Sequence, residues 1–367
     1  MRTMPGAGVA LVAAGAVAQP RFVPVMLEEE GATSAGVAVG DLDGDGDLDL
    51  VLAKGRHWPL DNLVLLNDGA GGFARRHPVG GPADRTYTAA LADLDGDGDP
   101  DLVVGNDDPD PKRIHLNDGQ GRFRPGGTFG DPAWPTRNLT VADLNGDGRP
   151  DVVAANRGGP EVSASAVCLN DGSGEFPVCA VLSPESATTI AAGDLTGDGR
   201  PDLFVPHRDG GQSALFRNDG AGGFGAAVPF GPPRSATRAV VAHDFDGDGR
   251  LDIVAGDELR GGARLFRNLG EGRFGEGQSV GDPADRVYAL AAADLDADGD
   301  IDLVVGNRDT PGVVLWNDGS RFRATRFGDA AGAVYGLALG DLDGDGGTDI
   351  AAARSGAPNA LYLNRRR

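Results

Sequence analysis

A nine-residue acidic motif that recurs seven times, four short apolar runs around each copy, and a last repeat that stops before its fourth run predict an all-β fold. The architecture they predict is a seven-bladed β-propeller of four-stranded antiparallel blades, closed by an amino-terminal strand that completes the last blade.

The motif copies are DLDGDGDLD from Asp41, DLDGDGDPD from Asp93, DLNGDGRPD from Asp143, DLTGDGRPD from Asp194, DFDGDGRLD from Asp244, DLDADGDID from Asp294 and DLDGDGGTD from Asp341. Their starts lie 52, 50, 51, 50, 50 and 47 residues apart, a period that fits one four-stranded unit. Around each motif the same order returns. An apolar run such as TAALA (88–92) leads in, LVVGN (102–106) follows, then RIHLN (113–117), a DGQG turn and a run led by Phe123. Runs of four to six residues rich in Val, Leu and Ala and bounded by Gly, Pro, Asn and Asp read as strands.

Ring closure is predicted by the ends of the chain. An Asn closes the third run of each unit, at Asn67, Asn117, Asn170, Asn218, Asn268, Asn317 and Asn364, so the seventh unit has no room for a fourth run. The Phe that opens that run stands at Phe73, Phe123, Phe176, Phe224, Phe274 and Phe322, and its seventh copy is Phe22. A blade shared between the two ends removes the exposed strand edges that a linear array would have to cap.

The motifs hold 29 of the 55 acidic residues in 63 positions, a density that calls for a bound cation rather than a solvated surface. Oxygen-bearing side chains occupy positions 1, 3, 5 and 9, and position 6 is always Gly. The candidate ligands are Asp41, Asp43, Asp45, Asp47 and Asp49; Asp93, Asp95, Asp97, Asp99 and Asp101; Asp143, Asn145, Asp147, Arg149 and Asp151; Asp194, Thr196, Asp198, Arg200 and Asp202. Those of the remaining loops are Asp244, Asp246, Asp248, Arg250 and Asp252; Asp294, Asp296, Asp298, Asp300 and Asp302; and Asp341, Asp343, Asp345, Gly347 and Asp349. Position 7 varies between Asp, Arg and Gly, so only its carbonyl can serve, and a loop of alternating oxygens with one main-chain carbonyl suits Ca²⁺. One ion per blade would take the net charge from -22 to about -8. Asn145 and Thr196 replace an acid at position 3, so those two loops are expected to bind more weakly. Position 12 carries an apolar residue where an EF-hand needs a bidentate Glu, and strand follows instead of helix.

Residues 1–18 read as a cleaved export signal: Arg2, an apolar run from Ala7 to Ala18, and Ala16-Val17-Ala18 before the cut. Residues 19–367 then form one propeller domain, secreted or periplasmic and expected to be monomeric. Cys168 and Cys179 flank a hairpin turn and are expected to pair in an oxidising compartment. The acidic balance excludes nucleic acid as a partner, and no stretch is long enough for membrane insertion.

With the repeats laid out, the chain resembles the FG-GAP and VCBS repeat families, whose best-known members are the amino-terminal propellers of integrin α subunits. The resemblance rests on the seven DxDxDGxxD-type loops and the LVVGN-like strands, and covers residues 21 to 364. It implies that the loops join the first and second strands of each blade and hold Ca²⁺. Integrin propellers carry the loop in only some blades. A loop in every repeat places this chain nearer free-standing bacterial repeat proteins and calcium-containing fungal propeller lectins.

A non-catalytic scaffold for glycans or an extracellular protein is the expected function; the alternative is an enzyme that degrades polysaccharide, lyase-like, on the same frame. The five His residues lie near no nucleophile motif and show no transition-metal spacing. In an up-and-down blade the acidic loops and the DGxG turns share one face, so the ligand is expected on the other. There Arg157, Arg208 and Arg308 recur at one loop position, with Tyr87, Tyr288 and Trp134 as aromatic surfaces.

Overall fold

The computed structural model describes residues 21–158, 164–319 and 321–365, all in strands, turns and loops. The expected export signal lies outside the described residues. Five sheets have four antiparallel strands in simple sequence order; the first begins with Thr86–Ala92, Asp101–Asn106, Lys112–Asn117 and Phe123–Phe129. The first and last repeats share a larger sheet, in which Arg21–Met26 pairs antiparallel with Ala360–Arg365 from Arg21↔Arg365 to Met26↔Ala360. This is the repeated antiparallel sheet of a β-propeller.

Burial follows the sequence pattern. The second strand of a unit, such as DLVVGN or DVVAAN, is buried at every position because it is covered on both faces by neighbouring sheets. The fourth strand is mostly exposed or half-buried, as in Phe322–Phe327, because it is the outer edge of its sheet. Apolar side chains therefore gather between sheets rather than in one central core. Leu42, Val51 and Val64 of the first repeat pack on Leu102 and Val104 of the second, and Leu342, Ala351 and Leu361 of the seventh pack on Leu50, Leu52 and Leu65 of the first. Position 2 of each acidic loop, Leu in six copies and Phe245 in the other, is an anchor no more than 1 % exposed.

Cys168 and Cys179 face each other across paired strands and form a disulfide. Their hairpin joins Ser165–Leu169 to Val178–Ser183, the outer pair of its sheet.

Loop geometry places glycine at positions 4 and 6, where φ is positive, for example 72° at Gly44 and 91° at Gly46. The sixth loop has Ala297 at position 4 with φ 57°. A left-handed Ala costs ~1–2 kcal/mol, and glycine gives back part of that gain through its unfolded-state entropy. Ala297→Gly is therefore expected to raise unfolding free energy by about 0.5–1 kcal/mol, read as a higher denaturant midpoint at unchanged slope. A lower midpoint would show that the loop does not need the left-handed turn.

Candidate functional site

Each acidic loop is folded by its own carboxylates. In every loop the first Asp accepts from the backbone N–H of position 6, and in the first five also from that of position 4, as Asp41 does from Gly46 at 3.0 Å and Gly44 at 2.8 Å. The position-5 carboxylate accepts from the N–H of position 7, as in Asp47 to Asp45 at 3.0 Å. These bonds turn the remaining oxygens toward one another. Among the described residues, three carboxylates bring oxygens within 4.8 Å in five loops: Asp41, Asp43 and Asp45; Asp93, Asp95 and Asp101; Asp244, Asp246 and Asp248; Asp294, Asp296 and Asp302; Asp341, Asp343 and Asp349.

The donor sets fit a cation on one further observation. Oδ1 of Asp43, Asp95, Asp296 and Asp341 is buried and has no hydrogen-bond partner, although a buried carboxylate oxygen without one is costly. Neighbouring acids and burial push Asp95, Asp296 and Asp343 above the usual carboxylate range, burial being the larger cause. Hard oxygens crowded in this way match a hard divalent ion.

The loops with Asn145 and Thr196 are compensated from within. Arg149 pairs with Asp147 at 2.5 Å and Arg200 with Asp198 at 2.6 Å, and Asn145 donates to Asp147 at 2.8 Å. Thr196 donates its hydroxyl to Asp202 at 2.9 Å. Arg250 turns its guanidinium onto Asp248 in the same manner.

Position 9 has a second job that the sequence alone does not disclose. Each of Asp49, Asp101, Asp151, Asp202, Asp252, Asp302 and Asp349 is fully buried. One oxygen accepts from the N–H of position 2 and the other from the N–H of the third-strand Asn, at 2.6–3.3 Å. Burial pushes Asp302 up to about 7 and Asp49, Asp101 and Asp349 up to about 6. The Asn amide then reaches the loop of the preceding repeat: Asn117 donates to the carbonyl of Leu42, and Asn67 to that of Leu342, both at 2.9 Å. All seven asparagines make this bond, at 2.8–3.0 Å. The signal available in the sequence was a polar residue at one offset in every repeat.

At the opposite end of the inner strands is a cavity of about 290 Å³, lined by three consecutive residues from each of the seven repeats. The first of each three stands six residues before a loop: Ala35, Tyr87, Arg137, Thr188, Arg238, Tyr288 and Tyr335. Tyr87 and Tyr288 thus line it. Arg137 lies over the Tyr87 ring at 4.1 Å and Arg238 over Tyr288 at 3.9 Å. The Tyr87 hydroxyl meets Nε2 of His57 at 2.8 Å, and Nδ1 of His57 lies 3.3 Å from Asp107.

The other candidates for ligand contact are placed differently. Arg208 is 7 % exposed and is held by Glu258 at 2.8 Å, so its guanidinium braces two repeats rather than facing solvent. Trp134 lays its ring against Gly130 beside the cluster of Phe129 and Phe176, a packing role. Arg157 pairs with Asp209 at 3.3 Å across repeats and stays half-exposed. Arg308 lies at the rim, 5.9 Å from Tyr288 and paired with Asp309. Arg137 and Arg238 line the cavity and Arg56 lies over the Tyr335 ring of its wall; Arg238 is the one that counting loop positions passed over, and its offset from the inner-strand start, shared with Arg137, was the available signal.

Among solved structures the chain is similar to an Agrocybe aegerita lectin that recognises non-reducing terminal N-acetylglucosamine, at 20% identity and TM-score 0.53, covering 85% of this chain and 81% of that one. It is similar to a Burkholderia pseudomallei lectin at 16% identity and TM-score 0.69, covering 91% and 96%. A third likeness is to BBS1N in its complex with ARL6DN, at 14% identity and TM-score 0.64, covering 95% and 98%. At these identities the likeness shows the fold. A search of curated proteins finds no match. The model of the FG-GAP-like repeat matches residues 41–104, 93–154, 143–205, 194–255, 244–305 and 294–352 in overlapping pairs of repeats. The chain belongs to the FG-GAP-like repeat family.

Proposed function

We propose that this protein is an exported, calcium-loaded, closed seven-bladed propeller that binds glycans without catalysis, on the face away from its acidic loops. The observation that carries the binding reading is the cavity at the start of the inner strands, walled by Tyr and Arg in a protein of net charge -22. Planar guanidinium forks and aromatic rings are the groups that hold hydroxyl- and carboxylate-rich ligands. Two of the similar solved structures are lectins, which supports the glycan class. Closure is supported by the pairing of Arg21–Met26 with Ala360–Arg365, by the Asn67 bond to Leu342, and by the equal share that seven repeats take in the cavity wall. Calcium is supported by the orphaned carboxylate oxygens, and its ligands would be positions 1, 3, 5 and 9 with the carbonyl of position 7. When bound it would supply charge compensation and a fixed loop; the protein's own hydrogen bonds shape each loop beforehand.

One observation favours the lyase-like reading: Tyr87, His57 and Asp107 form a hydrogen-bonded chain beside Arg137. An elimination next to a uronate carboxylate needs a base. Burial pushes the Tyr87 hydroxyl above the usual phenol range in spite of Arg137 and Arg56, so it stays a proton donor and serves binding better. Retention of glycans on an array by the mature protein, with no unsaturated product in the ultraviolet after incubation with polyuronates, is the expected result. Accumulation of that product would establish the enzyme, and retention of no glycan at all would remove the lectin reading.

A further inference from the structure

The geometry points to a subsite for a single carboxylate-bearing sugar, a terminal uronate residue, at the mouth of the central cavity. This rests on the glycan-binding reading and narrows it.

Five of the seven first-ring positions carry the cation or aromatic side chains Arg238, Tyr288, Tyr335, Tyr87 and Arg137. In repeat order they would form a broken arc, because the first repeat offers only Ala35 between Tyr335 and Tyr87. Arg56 fills that gap. Its guanidinium lies 3.9 Å from the Tyr335 ring centre and 5.7 Å from that of Tyr87. Tyr288 and Tyr335 meet edge to face at 5.1 Å. The result is a run of stacked groups, Arg238, Tyr288, Tyr335, Arg56, Tyr87 and Arg137, around the wall, open only at Thr188.

Arg56 is set apart from the other guanidinium groups. Arg137 is held by Asp107 at 2.6 Å and Arg238 by Glu258 at 3.0 Å. Among the described residues Arg56 has no carboxylate partner: Nη1 donates to the Ser355 hydroxyl at 3.0 Å, and Nε, itself buried, has no acceptor. Its backbone is left-handed, φ 51°, after Gly55, whose own φ is 114° and whose Cβ would strike the Trp58 carbonyl. A conformation unfavourable for Arg is thus fixed by a turn that only Gly can begin, and it holds a guanidinium without a carboxylate partner beside the Tyr335 and Tyr87 rings of the cavity wall. A carboxylate is the planar acceptor that such a fork takes. Two residues on, Trp58 belongs to the same turn, its N–H donating to the Gly55 carbonyl at 2.9 Å, and it exposes 68 % of its surface as a flat ring that a pyranose can stack on.

Size sets the ligand as one residue and not a threaded polymer. A cavity of about 290 Å³ stands at the lower limit of small-molecule sites. A chain end whose carboxylate meets Arg56, next to the Tyr335 and Tyr87 rings that line the cavity, suits it.

The test is calorimetric titration of the calcium-loaded full chain with glucuronate, its methyl ester, glucose and acetate. Glucuronate is expected to bind, with the ester and glucose at least tenfold weaker and acetate not competing. Arg56→Ala is expected to weaken glucuronate tenfold or more, Arg56→Lys by less, and the exposed Trp58→Ala threefold or more, each variant keeping a single cooperative melting transition. Equal binding of acid and ester, or full affinity in Arg56→Ala, overturns the proposal. So does acetate competing as well as glucuronate, which would reduce the site to a hole for any carboxylate. If neutral glycans are retained on the array and glucuronate does not bind, the uronate subsite falls while glycan binding stands; if no glycan binds, both fall.

Discussion

Excess chelator is expected to lower the melting temperature of this protein by on the order of 10 °C or more, and restoring millimolar Ca²⁺ to return it. The size follows from mass action. Extracellular calcium modules have dissociation constants near ~10⁻⁴ M, so ~1 mM free ion adds about 1.4 kcal/mol per site. Five loops gather three carboxylates within 4.8 Å, which gives about 7 kcal/mol, and the two self-compensated loops add less. That is comparable to the net stability of a whole domain. The buried, unpartnered oxygens of Asp43, Asp95, Asp296 and Asp341 supply the reason the metal-free protein suffers. Mg²⁺ at equal concentration is expected to recover only part of the loss, since it holds its waters and demands octahedral geometry. A melting curve that chelator does not move would remove calcium from the account.

The repeats show what could be read from sequence and what could not. The acidic loops, strand order and terminal Phe22 were legible because each depends on local chemistry repeated at a fixed offset: alternate oxygens, glycine where φ is positive, apolar runs between turns. The Asn latch was visible as a pattern but not as a function, since its partners lie about one repeat and a half earlier in the chain, as Asn117 and Leu42 do. Contact across repeats also sets how the arginines of the opposite face are placed. Arg157, Arg208 and Arg308 share one loop position, yet their neighbours differ: Asp209 for the first, Glu258 for the second, Asp309 and Tyr288 for the third. Equivalent positions therefore do not have equivalent exposure. Arg56 was reachable in sequence only as part of a loop tip; its place in the arc depends on Ala35 leaving room and on a left-handed turn, neither of which a periodic pattern encodes.

Deleting residues 21–28 is expected to abolish the single cooperative melting transition and drive aggregation. The segment supplies the strand that covers Ala360–Arg365 along six register pairs, so its loss leaves a row of unpaired backbone groups at a sheet edge. It also removes apolar cover. Phe22 packs against Trp316 and Phe327 with ring centres 6.2 and 5.6 Å apart, and Val23, Val25 and Leu27 join the cluster of Leu361 and Leu363. Four side chains of this kind are worth on the order of 5–10 kcal/mol of burial before the entropy of ordering the strand is returned. Glu28 goes with them, and it is the acceptor for Lys54 and for the Asn359 amide, two polar groups buried at the seam between the first and last repeats. Lys54 would lose its carboxylate, and the Asn359 amide would keep only its bond to the Ser34 hydroxyl. The five intermediate sheets keep their own four strands, so circular dichroism should retain much of its β signal while the transition broadens and the protein associates. A peptide of residues 21–28 added in trans is expected to restore solubility in proportion to its concentration, which separates a missing strand from general damage. A truncated chain that stays monomeric and melts like the parent would show that the amino-terminal strand does not close the ring.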